Sequence, residues 1–323
     1  MKKTVAGRYR FGWLAMLALF SSQLFAQTVI DTITVGQMPT AVALNAKNNR
    51  VYVTNGLDHT FTVIDGATNA ILATMPTFTT PTDIALNTVK NEIWVCESDA
   101  TGNIFAEAFN GTTFALIKRI ALGVGTGRIA VHVHLNRVYV SNDASTNLSV
   151  IDGLHKTLLT TLTLPCTPYG LTVNTATNLW YVGSKGCIDG EVYVIDANTN
   201  TLTTTITSTG VSMNYATVDQ THNRVYLTDD VNGMYVVDGT TNTLSGVVTG
   251  LSQAHGVAII AGSQKAVEAN KGTNQMKTVN GLTRKVTGTT AVGSVPVGIA
   301  SNGTTRRIYV ANQADNTVTV LSY

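Results

Sequence analysis

Asp83, Arg128, Tyr169, Asn214, Tyr215 and His255 are the residues whose types could do chemistry together. A guanidinium grips an anion through several N–H donors. A carboxylate and an imidazole can move protons, and amide and phenol groups can orient a ligand. They are scattered over more than half the chain, so only the fold can bring them together. Linear catalytic signatures are absent. There is no His-Glu-x-x-His, no Gly-x-Ser-x-Gly, no phosphate loop and no Cys-x-x-Cys-His. No catalytic residue is therefore assigned, and the serine-hydrolase and haem-protein readings lack support.

What singles these six out is a repeat. Seven central strands read Val51-Tyr52-Val53, Ile93-Trp94-Val95, Val138-Tyr139-Val140, Trp180-Tyr181-Val182, Val225-Tyr226-Leu227, Ala266-Val267-Glu268 and Ile308-Tyr309-Val310, and their middle residues are 41 to 45 apart. Thirteen residues before each middle residue stand Pro39, Pro81, Thr126, Pro168, Met213, Ala254 and Pro296, each opening a short apolar strand. A third strand follows each central one, at 61–65, 104–109, 148–152, 192–196, 234–238, 276–280 and 318–322. Five of these end in Asp-Gly or Asn-Gly, read as supplying positive φ for a tight reversal. A Thr-rich fourth strand leads onward, as at 158–164 and 202–207.

Four antiparallel strands repeated seven times predict an all-β, seven-bladed β-propeller. The seventh repeat lacks a fourth strand, while residues 28–35 read as an orphan fourth strand. Pairing the two would close the ring and remove two exposed edges. The predicted domain is 27–323.

The loops before the inner strand and those between the second and third strands share one face. One and two residues after each landmark, most copies carry small side chains: Thr40-Ala41, Thr82-Asp83, Gly127-Arg128, Tyr169-Gly170, Asn214-Tyr215, His255-Gly256 and Val297-Gly298. The six polar departures therefore gather at one axial opening, a candidate ligand site. The plainer reading makes Asp83 and Arg128 an ion pair between adjacent blades, and His255 a hydrogen-bonded loop residue.

Other polar groups are read more plainly. Glu97, Asp99, Asp143, Lys185, Asp229, Asp230 and Lys271 fall on second-to-third-strand loops. Asp229-Asp230 offers oxygens to Ca²⁺, but without a regular calcium-loop spacing it reads as a solvated turn. His132 and His134 share one side of a strand, on the opposite face and without a third ligand, and read as surface residues. No metal site is assigned and no cofactor is evident, with a structural or catalytic divalent cation left open. Cys166 and Cys187 lie on two loops of one face of the same repeat, which makes a disulfide the expected pairing if the chain is exported. Cys96 reads as a buried free thiol.

Residues 1–26 read as a removable signal peptide. Lys2, Lys3, Arg8 and Arg10 precede a ten-residue apolar run, and Ala26 fits a cleavage site. An uncleaved anchor is the alternative; no later stretch is apolar enough to span. The whole chain has 21 Lys+Arg and 19 Asp+Glu, so losing four basic residues leaves a net charge of −2. That balance argues against nucleic acid as a partner. A periplasmic or secreted monomer is expected.

Tyr52-Val53-Thr54-Asn55, Tyr139-Val140-Ser141-Asn142 and Tyr309-Val310-Ala311-Asn312 give the chain its resemblance to the YVTN-type β-propeller repeat family, over essentially all of 27–323. The resemblance implies an exported or surface-associated seven-bladed propeller. Related folds include lactonases and redox-enzyme subunits, so fold alone does not assign function. The leading expectation is a non-catalytic binding or scaffolding module. Its axial face would take a protein, a cell-envelope component or a small ligand. The alternative is a lactonase-like hydrolase or lyase using Asp83, Arg128 and His255.

Overall fold

In the computed structural model, residues 27–187, 190–208, 210 and 212–323 are described. The leader expected at 1–26 lies outside them. The described chain forms seven four-stranded antiparallel sheets. Blade 1 comprises Pro39–Asn45, Arg50–Asn55, Thr60–Asp65 and Ile71–Pro76, from the inside outward. Blades 2 to 6 occupy 80–124, 129–163, 167–207, 213–248 and 254–291. Blade 7 is Pro296–Asn302, Arg307–Asn312 and Thr317–Ser322, completed by Thr28–Thr34. A single 3-10 turn, Lys271–Thr273, is the one helical element among the described residues.

The closing strand runs antiparallel to Thr317–Ser322, from Thr28 opposite Ser322 to Thr34 opposite Thr317, with a bulge between Val29 and Asp31. Each inner strand packs on those of both neighbouring blades, Pro39–Asn45 against Pro296–Asn302 included, so the ring is closed.

Seven apolar cores lie between blades. The pleat sends alternate residues of a central strand to opposite neighbours. Tyr52 packs with Ile84, Ile93 and Phe109 of blade 2, whereas Val51 and Val53 pack with Tyr309, Val318 and Val320 of blade 7. The large aromatics at the repeat's centre are fully buried. Truncating one to Ala would cost about 3–5 kcal/mol by cavity formation.

Turn chemistry ties the blades together. Asp65 Oδ1 accepts the amides of Ala67 and Thr68, and Asn69 takes the left-handed conformation with φ 62°. The same turn recurs at Asn110 and Phe114, and at Asn280 and Arg284. The glycine after the Asp or Asn is therefore not the positive-φ residue, contrary to the sequence reading. It is needed for close approach: a Cβ at Gly66 would lie 2.7 Å from the Asn49 carbonyl oxygen. Across the seam, Asn302 Nδ2 donates to Asn49 Oδ1 (2.8 Å), and Tyr309 Oη donates to the Gly66 carbonyl (3.2 Å).

The motif residues have equally local roles. Thr54 Oγ1 accepts the Ala41 amide at 3.0 Å. Asn55 Nδ2 donates to Thr60 and Thr62, and Asn312 Nδ2 does the same to Thr317 and Thr319. Two plainer readings need correction. His132 is fully buried and its Nε2 meets Asn178 Oδ1 at 2.9 Å; only His134 is on the surface. Asp229 is also buried rather than solvated, because it accepts the amides of Ser212, Val231 and Asn232.

Candidate functional site at the axial channel

The polar departures sit where the inner strands break register. In six of the seven blades the pairing of inner with second strand slips just after the landmark residue. Tyr169, Asn214 and His255 fall on the skipped positions of blades 4, 5 and 6. A bulge re-aims side chains, and here the position two after the landmark, Asp83, Gly170, Tyr215, Gly256 and Gly298, lines the axial cavity rather than Tyr169, Asn214 or His255. Blade 3 is different. Its inner strand starts only at Ile129, after Gly125 and Gly127 at φ 129° and 44°. A Cβ on Gly127 would lie 2.5 Å from Cys96 Sγ, so blade 2's buried free cysteine sits directly beneath the Arg128 loop.

Tyr215 is the centre of the arrangement. It leaves blade 5 and donates its hydroxyl to the Thr40 carbonyl of blade 1 at 3.3 Å, so its side chain crosses the axis. Arg128 of blade 3 lies against it, with the guanidinium carbon 4.1 Å from the ring centroid. Tyr169 is 5.5 Å from the same guanidinium and carries Lys185 Nζ 4.7 Å from its own ring. His255 of blade 6 packs on Tyr215 with 4.7 Å between ring centroids. Such cation–π contacts each contribute about 0.5–2 kcal/mol, more when shielded from water.

Asp83 and Arg128 both line the channel, yet no direct ion pair joins them. Asp83 accepts the amides of Ile84 (2.9 Å) and Ile129 (3.0 Å), while Arg128 Nη1 donates to the Thr82 carbonyl (3.1 Å). Arg128 Nε is buried without a partner. Asp83, Arg128, Tyr215, Gly170, Gly256 and Gly298 are among the walls of a cavity of ≈ 150 Å³. Tyr169 and His255 are not among them, and neither is Asn214. It is buried, accepts from Ser212 Oγ at 3.1 Å, and leaves its Nδ2 unpartnered.

Electrostatics follow from depth. Burial raises the Asp83 carboxyl above the ordinary carboxylate range, and Arg128 pulls the other way. Burial lowers His255 to about 3, with the Arg128 charge adding to the effect. His255 is thus a neutral imidazole, and since the Val297 carbonyl at 3.1 Å can only accept, Nδ1 carries the proton.

Glu268 was missed by sequence reasoning. Its carboxylate accepts the His255 amide at 3.2 Å, and burial pushes it up to about 8. A signal existed: the other six copies have Val or Leu at that place in the central strand. Glu97 was assigned to a loop but belongs to the strand Glu92–Ser98 and is fully buried. Burial and the adjacent Glu107 push it up to about 9.

Cys166 and Cys187 are disulfide-bonded, with Cα atoms 6.0 Å apart. The bond joins the loop leading to Tyr169 with the loop that follows Lys185. Glu191 lies with both sulfurs inside 4.8 Å, the one such cluster of His, Cys, Asp or Glu among the described residues, but sulfurs joined in a disulfide offer a metal no thiolate. That group lies in blade 4, off the axis.

No protein-family model matches the chain. Two curated relatives, each described as an uncharacterized protein YncE, come from Salmonella typhi and Salmonella typhimurium. Each is 27% identical over 155 residues, covering 46% of this chain and 42% of the relative. The chain thus spans less than half the length of these relatives. Among solved structures, a chain of Kuenenia stuttgartiensis hydrazine synthase superposes with a TM-score of 0.80 at 12% identity, over 90% of this chain and 97% of that one. The superposition shows the shared propeller fold and nothing about activity.

Proposed function

We propose that this propeller is an exported binding module that takes a small ligand, or the end group of a cell-envelope component, at its axial channel. The observation that carries this reading is the Tyr215 bar beside Arg128 in a channel whose other walls include Asp83, Gly170, Gly256 and Gly298, with His255 packed on the bar. A seven-fold repeat needs none of these polar side chains for its closure. Converging aromatic and charged groups in a concavity are the usual makings of a ligand site.

Export is supported by the disulfide, since such bonds persist in oxidising compartments. Among the described residues no helix is long and apolar enough to cross a membrane. Hydrolysis is less well supported than binding. Both Asp83 oxygens are engaged by backbone amides, and the axis holds no group of metal ligands among the described residues.

The test is a thermal-shift screen of the purified protein against small metabolites and cell-envelope fragments, run in parallel on R128A. Compounds that raise the wild-type midpoint but not that of folded R128A are expected. A screen in which every stabilising compound acts equally on both proteins would sink the reading.

A further inference from the structure

We propose that the axial channel receives a monovalent carboxylate, the end group of a small organic acid, on the Nε edge of Arg128. The inference rests on the binding reading above and names its ligand class.

The argument begins with unspent donors. Arg128 carries five N–H groups. One Nη1 hydrogen goes to the Thr82 carbonyl, and the aromatic faces of Tyr215 and Tyr169 cover the guanidinium without accepting a conventional hydrogen bond. Nε–H is buried and unpartnered, so a ligand oxygen reaches it with a shift of the rings that cover the guanidinium. A buried donor left in that state is costly, so an acceptor supplied there is favoured. The edge bearing Nε is one that a planar carboxylate meets with two parallel bonds.

Size limits the ligand. A cavity of ≈ 150 Å³ holds about five waters at the ~30 Å³ each occupies in the liquid, which is the room for an acid of a few heavy atoms. Longer molecules would have to leave their tails outside, toward Lys185 and Lys271 at the loop face.

Charge limits it further. Asp83 lines the same cavity, and its charge is partly met by the Ile84 and Ile129 amides. A cation would face Arg128. A dianion such as phosphate would set its second charge against Asp83 in a poorly solvated channel, where like charges repel strongly. A single planar negative charge satisfies Arg128 with the least opposition.

The experiment titrates the full mature protein with formate, acetate and lactate by calorimetry at fixed ionic strength, with inorganic phosphate, sulfate and methylammonium as comparison ligands. Carboxylates are expected to bind and methylammonium not to. R128K keeps the charge without the fork and should weaken acetate by about tenfold or more. D83N should admit phosphate. Y215F releases the bar from the Thr40 carbonyl while leaving the Arg128 donors in place, so it should speed carboxylate exchange and serves if R128K fails to fold. Equal binding of phosphate and acetate by the wild type, or acetate binding unchanged in folded R128K, overturns the carboxylate assignment. If the screen instead yields neutral or cationic ligands that depend on Arg128, the binding reading stands and this inference falls. If neither the screen nor the carboxylates give a response, both fall.

Discussion

His255 and Glu268 touch through one hydrogen bond, and burial opposes the charge of each. Their pH effects have opposite signs. Folding lowers the His255 pKa from 6.5 to about 3, so its contribution is whole above pH 6.5 and is lost as pH falls toward 3. Folding raises the Glu268 pKa from 4.5 to about 8, so its contribution is whole below pH 4.5 and is lost as pH rises toward 8. Each pH unit inside either window corresponds to at most about 1.4 kcal/mol per group. Between pH 5 and 8, E268Q keeps an acceptor for the His255 amide and should flatten the alkaline decline in the unfolding midpoint. Between pH 6.5 and 4, H255Q keeps a donor for the Val297 carbonyl and should flatten the acid decline. Denaturation curves across pH 4–9 check both. Parallel pH profiles in wild type and variants would contradict the assignment. Residues of this kind were only half legible in the sequence. His255 stood out because it breaks a small-residue position. Glu268 breaks an apolar position just as clearly, but its burial depends on pairing with the bulged strand beside it. The crossing of Tyr215 to Thr40 was not legible at all, since a blade 5-to-1 contact leaves no local pattern.

At the scale of elements, the repeat and the site are two uses of the same strands. The Thr54 hydroxyl accepts the amide of Ala41, and Ser141 does the same for Arg128 at 2.9 Å. The residue that makes the repeat recognisable thus also holds the inner strand where a ligand side chain emerges. The strand order was readable from the 41-to-45-residue repeat, and so, to within a residue, were the bounds of every third strand. The late start of blade 3's inner strand was not, because it follows two positive-φ glycines, Gly125 packed on Asp143 and Gly127 packed on Cys96. The disulfide acts at this scale too. It closes a separation of 21 residues between two loops of blade 4. Replacing both cysteines by serine should lower stability by about 3 kcal/mol, the chain-entropy value for a loop of this length. Mass analysis of exported protein should find one free thiol, and three would refute the bond. Because the bond ties the loop leading to Tyr169 to the loop that follows Lys185, C166S/C187S should weaken axial ligands more than a remote destabilising change of equal size.

For the whole molecule the decisive question is what keeps a ring of seven separate cores from opening. Six interfaces join blades that follow one another in the chain; the seventh joins blade 7 to blade 1. Thr28–Thr34 completes blade 7, and its neighbours extend the closure. Asn69 of blade 1 donates to Asp31 at 2.7 Å, Val35 donates to the Asn316 carbonyl at 2.9 Å, and Gln27 bonds Thr278 of blade 6 at 2.7 Å. Most side chains of this strand are exposed, with Ile33 alone buried. Its stabilising role is therefore chiefly to satisfy the edge of Thr317–Ser322 rather than to fill a core. Removing 27–36 should cost several kcal/mol and lower the midpoint by on the order of 10 °C, given the slope expected for a chain of this size. The shortened protein should also self-associate through the bare edge. A synthetic peptide of residues 27–36, added in excess, should restore both the midpoint and the monomer by re-forming the fourth strand. An unchanged midpoint after deletion would mean that packing of blade 1 on blade 7 closes the ring without it. A lowered midpoint that the peptide does not rescue would place the loss outside strand pairing.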